Sequence, residues 1–229
     1  MDLARTCKKE DAIPRSTSSY EYTVTVGQPG PAKGGFFFSP KEVKHLIVAA
    51  LIVMAVGLSS MLYFSGGNWQ AALSIFAVYG LVLTASFLAH ELAHKFSAQR
   101  RGLWAEFRLV LWGTLITLLS VISPVFKIIS PGAVMISGSA GQKEMGEISL
   151  AGPLTNIFPS AALTGVALIP SSYSGVLFSA AFINGFMALF NLIPFGVLDG
   201  LKVFQWNKIV WGIAFGASVA LMIINYYFF

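Results

Sequence analysis

Charge is what this chain has least of. Acidic and basic side chains make up 11% of its 229 residues, where a soluble globular domain carries about a quarter. Between His45 and Ala89 there is no Asp, Glu, Lys or Arg at all. At 1.5 Å per residue, that interval suffices for two bilayer-spanning helices divided by the turn Ser65-Gly66-Gly67-Asn68-Trp69. A soluble domain is thereby excluded. Cysteine is nearly absent: the single Cys7 excludes an intrachain disulfide. Aspartate is scarce, with Asp2 and Asp11 near the start and Asp199 far from both, and histidine is limited to His45, His90 and His94. No signal peptide is expected, because Lys8-Lys9-Glu10-Asp11 leads into polar sequence rather than an apolar core.

What is present is apolar length: 55% of the residues are hydrophobic. The reading is an all-α polytopic membrane protein of about five transmembrane helices, over about 45–64, 69–99, 148–169, 174–201 and 209–229. Residues 1–40 are polar and rich in Ser, Pro and Gly, and form an aqueous tail with one β-like stretch at 20–26. Residues 41–229 form the membrane-embedded domain. Ser39-Pro40-Lys41-Glu42 reads as a helix cap with Pro at the first helical position. His45 reads as an interfacial residue rather than a ligand. Glu144 and Glu147 read as favourable charges near the N-terminus of the 148–169 helix.

Residues 103–140 read differently. Phe107 to Ile122 is apolar, but Gly113 interrupts it and Ser123-Pro124 ends it, and a strand-like pair follows around Pro131-Gly132. We expect a small membrane-associated β or re-entrant element between the second and third helices. It should pack against the bundle, since non-helical backbone at membrane depth needs protein or water to satisfy it.

Against this apolar background, Ala89-His90-Glu91-Leu92-Ala93-His94-Lys95 is the stretch that carries chemistry. Residues i and i+4 share a helix face, so both imidazoles can grip one metal ion while Glu91 projects beside them. A zinc hydrolase needs ligands that leave a position open for water, and a carboxylate to take its proton. A chance His-Glu-x-x-His in a chain this long is expected on the order of one time in a hundred.

Basic residues Lys95, Arg100 and Arg101 follow the motif, as where a span emerges on the cytoplasmic side. If residues 103–147 enter and leave on that side, the two outer loops, 65–69 and 170–174, carry no Lys or Arg. The formal charge of +5 then reflects topology, and no nucleic-acid partner is expected. The same arrangement brings Asp199, near the end of the 174–201 helix, to the depth of His90 and His94. An aspartate there is either a helix-end charge facing water or a third metal ligand. The several kcal/mol that an unpaired carboxylate costs at membrane depth favours the ligand.

These residues resemble the site-2 proteases, which are intramembrane zinc metalloproteases. The resemblance rests on His90-Glu91-Leu92-Ala93-His94, on Leu150-Ala151-Gly152-Pro153-Leu154-Thr155-Asn156, and on Asn191-Leu192-Ile193-Pro194 followed by Leu198-Asp199-Gly200. It implies one zinc per chain on His90, His94 and Asp199, Glu91 as general base, and Asn191 holding an extended substrate backbone, with Asn156 as a further donor. Where many members have a second Pro before Leu-Asp-Gly, this chain has Phe195-Gly196-Val197. No insert is long enough for a PDZ or CBS module. The implied activity is hydrolysis of peptide bonds within or beside transmembrane segments. The implied partners are a transmembrane protein substrate and the lipid bilayer, and the implied setting is a cell membrane of prokaryotic type with the N-terminus and active-site end cytoplasmic. The oligomeric state is not given by these residues. A non-catalytic membrane metal binder or transporter is the competing class, as is an inactive helix-binding relative. A prenyl-protein protease type would draw its third ligand from Glu144 or Glu147.

Overall fold

The computed structural model describes residues 36–64, 69–123 and 127–228, with side chains outside 61–78. The β-like stretch at 20–26 and the turn at 65–68 lie outside these residues. All that is described falls in one compact unit, Pro31–Phe229. In chain order it comprises α1 (Pro40–Phe64), α2 (Trp69–Gln99), β1 (Trp104–Leu109), α3 (Leu111–Ile122), β2 (Gly132–Ser137), α4 (Gln142–Ala167), α5 (Ser174–Asn191), α6 (Asp199–Trp206) and α7 (Lys208–Phe228).

The helices are packed inside out relative to a soluble bundle. Their interior is dense in small polar groups, with Ser86, Asn156, Ser160, Asn184 and Asn225 all buried, while Leu51, Trp112, Ile122, Phe158 and Ile213 stand exposed. Lipid tails supply no hydrophobic drive between helices, so close approach and hydrogen bonds must do that work. Gly57 meets Gly80 where α1 crosses α2, and a Cβ at Gly57 would lie 2.8 Å from the Gly80 Cα. The Ser160 hydroxyl donates to the Ala181 carbonyl at 2.7 Å, and Asn225 donates to Thr164 at 2.9 Å. Among the described residues, α1 (over Pro40–Ser60), α5 and α7 are long and apolar enough to cross a membrane. This is a membrane protein.

Four expectations need correction. The helix expected over 174–201 is two helices: Pro194 lacks the N–H a continuing helix needs, Gly196 turns the chain at φ 60°, and α6 restarts at Asp199. The strand-like pair expected around Pro131-Gly132 is not a hairpin. Instead β2 pairs antiparallel with β1, Phe107 opposite Val134, and Gly132 allows the approach because a Cβ there would lie 2.3 Å from the Arg108 carbonyl. Between the strands, residues 111–122 of the segment expected to be β or re-entrant form the helix α3. Twelve residues span only about 18 Å, short of a hydrocarbon core of about 30 Å. Fourth, α4 begins at Gln142 rather than 148, since the Glu144 carboxylate accepts the Gly141 N–H at 2.9 Å and closes the first turn.

The short α3 carries its apolar side chains outward and buries Thr117 and Ser120. Those hydroxyls accept the backbone N–H groups of Ser130 (3.0 Å) and Ile128 (2.9 Å), so the irregular segment 127–131 is satisfied from the helix beside it. Gly113 makes the fit possible, because a Cβ there would meet the Ser130 carbonyl at 2.1 Å.

The outer edge of β1 is closed by side chains from α1 and α2. Gln99 and Lys95 donate to the Ala105 carbonyl at 3.1 and 2.9 Å. Glu42 accepts the Phe107 N–H at 2.9 Å, and His45 Nδ1 accepts the Leu109 N–H at 3.2 Å. β2 has no strand on its far side among the described residues.

Candidate metal centre

Three helices converge on the His-Glu-x-x-His segment. On α2, His90 and His94 stand one turn apart with ring centroids separated by 4.7 Å. The break after Asn191 lets α6 start beside them, and Asp199, its first residue, presents Oδ2 at 3.2 Å from His90 Nε2 and 2.9 Å from His94 Nε2. The two Nε2 atoms are 3.1 Å apart. Gly200 seats α6 against the end of α5, since a Cβ there would lie 2.1 Å from the Leu192 carbonyl.

What these atoms can do follows from where the imidazole protons are. His90 Nδ1 lies 2.7 Å from Asn156 Oδ1, and His94 Nδ1 lies 2.8 Å from the Ile148 carbonyl. Both partners are acceptors, because the Asn156 amide nitrogen faces the Ser86 carbonyl and Asn184 Oδ1. Each ring therefore donates from Nδ1, which leaves lone pairs on both Nε2 atoms. Two bare nitrogens and a carboxylate oxygen converge on one point, and three acceptors repel one another unless a cation lies among them. Their spacings of 2.9 to 3.2 Å approach the edge of about 3.3 to 3.4 Å for a tetrahedron of ligands at zinc distances. His90, His94 and Asp199 together form a group able to hold a metal ion.

Space is kept for that ion by a glycine. A Cβ on Gly152 would lie 2.3 Å from His94 Nε2 and 2.7 Å from His90 Nε2, so any larger residue would occupy the mouth of the cluster. Glu91 is buried on α2, directly after His90. Lys202 approaches the other Asp199 oxygen at 4.0 Å.

The remaining candidates lie elsewhere. Asn156, expected to touch substrate, is fully buried behind His90 and takes that ring's proton as partner. Asn191 donates to the Met187 carbonyl at 3.0 Å and borders a cavity of about 210 Å³ lined also by Val56, Leu83, Phe186 and Phe190. Glu144 caps α4, and Glu147 pairs with Arg101 at 2.7 Å, so neither stands at the cluster. The holding roles of Asn156, Ile148 and Gly152 were not anticipated. Their signal is the Gly152-Pro153 pair inside a helix, a costly placement that close backbone approach explains.

The chain is 32% identical over 197 residues, covering 83% of its own length and 95% of the relative, to a protein of Methanocaldococcus jannaschii named "Putative zinc metalloprotease MJ0611". This chain belongs to the site-2 protease family of zinc metalloproteases. It is also 28% identical over 179 residues to "Putative zinc metalloprotease Rip3" of Mycobacterium tuberculosis, of which it covers 41%. No family model and no solved structure matches this family member.

Proposed function

We propose that the protein is an intramembrane zinc metalloprotease that hydrolyses peptide bonds within or next to transmembrane segments of membrane proteins. The observation that carries this reading is the cluster of three mutually facing acceptors, with both imidazole protons turned away, beside a buried carboxylate. Such a set calls for a metal ion or a proton among its three atoms, and a carrier has no need of Glu91. The donor set suits zinc: two imidazoles and one carboxylate are the ligands of an open, three-protein-ligand hydrolytic site. Bound there, zinc supplies a Lewis acid and an acidified water. Glu91 accepts the proton of the attacking water and delivers it to the departing amide nitrogen. Asn156 and the Ile148 carbonyl hold the two rings in the tautomer that binds metal.

A transmembrane substrate hides its carbonyls in helical hydrogen bonds, so it must be extended before attack and its freed backbone groups need partners. The far edge of β2 carries no strand among the described residues, whereas the outer edge of β1 is closed by Gln99, Lys95, Glu42 and His45. An extended substrate adding to β2 is the arrangement this asymmetry favours, with Asn191 offering a further contact. The bilayer is the second partner, crossed several times with the active-site end cytoplasmic. Zinc content and cleavage of a transmembrane substrate, measured together for wild type, Glu91→Gln and Asp199→Ala, test the reading. One zinc per wild-type chain with cleavage supports it. Zinc without cleavage would identify a metal binder or carrier instead.

A further inference from the structure

Lys95 and Glu42 are both completely buried, one residue past a metal-cluster histidine and near the start of α1. The ammonium lies 2.8 Å from one Glu42 oxygen and 2.9 Å from the Ala105 carbonyl, with the Phe38 ring centroid at 4.8 Å. The other Glu42 oxygen accepts the Phe107 N–H. Burying two charges costs several kcal/mol per ion, and an apolar pair of the same size is often as stable or more so. Packing alone therefore gives little reason for the pair.

Strand register supplies a reason. Phe107 stands directly opposite Val134, and its N–H points away from β2, toward Glu42. In an antiparallel ladder such a pair turns both N–H groups outward. The same rung packs on α2: the Phe107 ring meets Phe87, one turn before Glu91 on that helix, with centroids 6.0 Å apart, and Val134 packs against the same apolar cluster. Glu42, neutralised by Lys95, fixes the height of that rung against the face of α2 that carries both Phe87 and Glu91.

We propose that Glu42 and Lys95 are positioning residues for Glu91: by holding the Phe107 N–H they set the height of the β1–β2 sheet against the helix that carries the base. The inference rests on the protease reading of the site. Two double variants, both neutral and of similar volume, isolate the hold from the charge. Glu42→Leu/Lys95→Met removes the acceptor for the Phe107 N–H. Glu42→Gln/Lys95→Met keeps it, since the amide oxygen replaces the carboxylate oxygen.

The measurements are steady-state cleavage of a transmembrane substrate, zinc per chain, and hydrogen exchange of the 132–137 amides by mass spectrometry. Glu42→Leu/Lys95→Met should bind one zinc per chain and keep KM within about twofold. Its kcat should fall about 100-fold, the scale on which a misplacement of about 1 Å acts, and exchange in β2 should speed up. Glu42→Gln/Lys95→Met should restore kcat to within about threefold of wild type, because it keeps the hold that sets that geometry. Equal kcat in the two double variants, whether high or low, overturns the proposal, as does zinc loss from the Leu/Met protein. A wild-type protein that binds zinc but cleaves nothing overturns the protease reading itself, and the proposal falls with it.

Discussion

Gly152→Ala adds one methyl group to α4 at the mouth of the metal cluster. Its carbon would lie 2.3 Å from His94 Nε2, 2.6 Å from His94 Cε1 and 2.7 Å from His90 Nε2. Ordinary van der Waals contact begins near 3.4 Å, so α4 or the imidazoles must give way by about 1 Å. The rings cannot swing freely, because each is tied through Nδ1 to α4 itself, to Asn156 Oδ1 and to the Ile148 carbonyl. Backing α4 away stretches those same bonds. Overpacking of this kind costs about 1–3 kcal/mol, and loss of the outer partners of a ligating histidine lowers metal affinity about 10- to 100-fold. We expect Gly152→Ala to fold and remain in the membrane fraction, to bind zinc at least about tenfold more weakly than wild type in a chelator competition, and to lose cleavage about 100-fold or more. Zinc titration of the purified apoprotein by isothermal calorimetry, with cleavage assayed at saturating zinc, gives both numbers. Wild-type zinc affinity together with wild-type turnover would refute the assignment of this cluster as the metal site.

Further outcomes follow from other contacts. Glu91→Gln should retain one zinc per chain while cleavage falls by about 100- to 10,000-fold, the range of general-base catalysis, as read from metal analysis and a gel-based substrate assay. Asn156→Leu removes the acceptor for the His90 Nδ1 proton inside a fully buried site, so zinc affinity should fall about 10- to 100-fold, whereas Asn156→Asp should retain binding. Thr117→Val leaves the Ser130 N–H without its hydroxyl partner and should lower stability by about 1–3 kcal/mol; the loss is read by thermal unfolding, with zinc content unchanged. Glu147→Gln breaks the partly exposed pair with Arg101, and zinc content and cleavage should stay at wild-type levels. Loss of zinc there would revive a glutamate as third ligand.

The cluster of His90, His94 and Asp199 was legible because its parts are local or costly. His90 and His94 are tied by helix periodicity alone, and Asp199 stood out as a lone aspartate in an apolar chain. Their convergence in one cluster follows from both facts. The route to Asp199 was read less well: the apolar run through Pro194 looks continuous by hydropathy, and the helix ends because of a missing N–H and a positive φ at Gly196. The segment over 103–140 was the hardest, since α3 exposes Leu111, Trp112 and Ile122 and buries Thr117 and Ser120, reversing the polarity on which soluble patterning rests. Strand partners 23 to 33 residues apart with a helix between them leave no periodic trace. Asn156 entered only through the resemblance, as a substrate donor, and its partner, His90, is set by how α4 packs on α2, which composition does not encode.

The distance along the chain between the donors has a consequence for how the protein comes to be. His90 and Asp199 are 109 residues apart, with five other elements made between them. During synthesis the two histidines emerge long before the aspartate, so a nascent chain holds a two-point grip with no third donor until α6 has passed the break at Pro194 and docked on the end of α5. Hydrolytic capacity therefore arrives late, after most of the helices that shield it are in place, and the half-made protein is spared a reactive centre it has no means to govern.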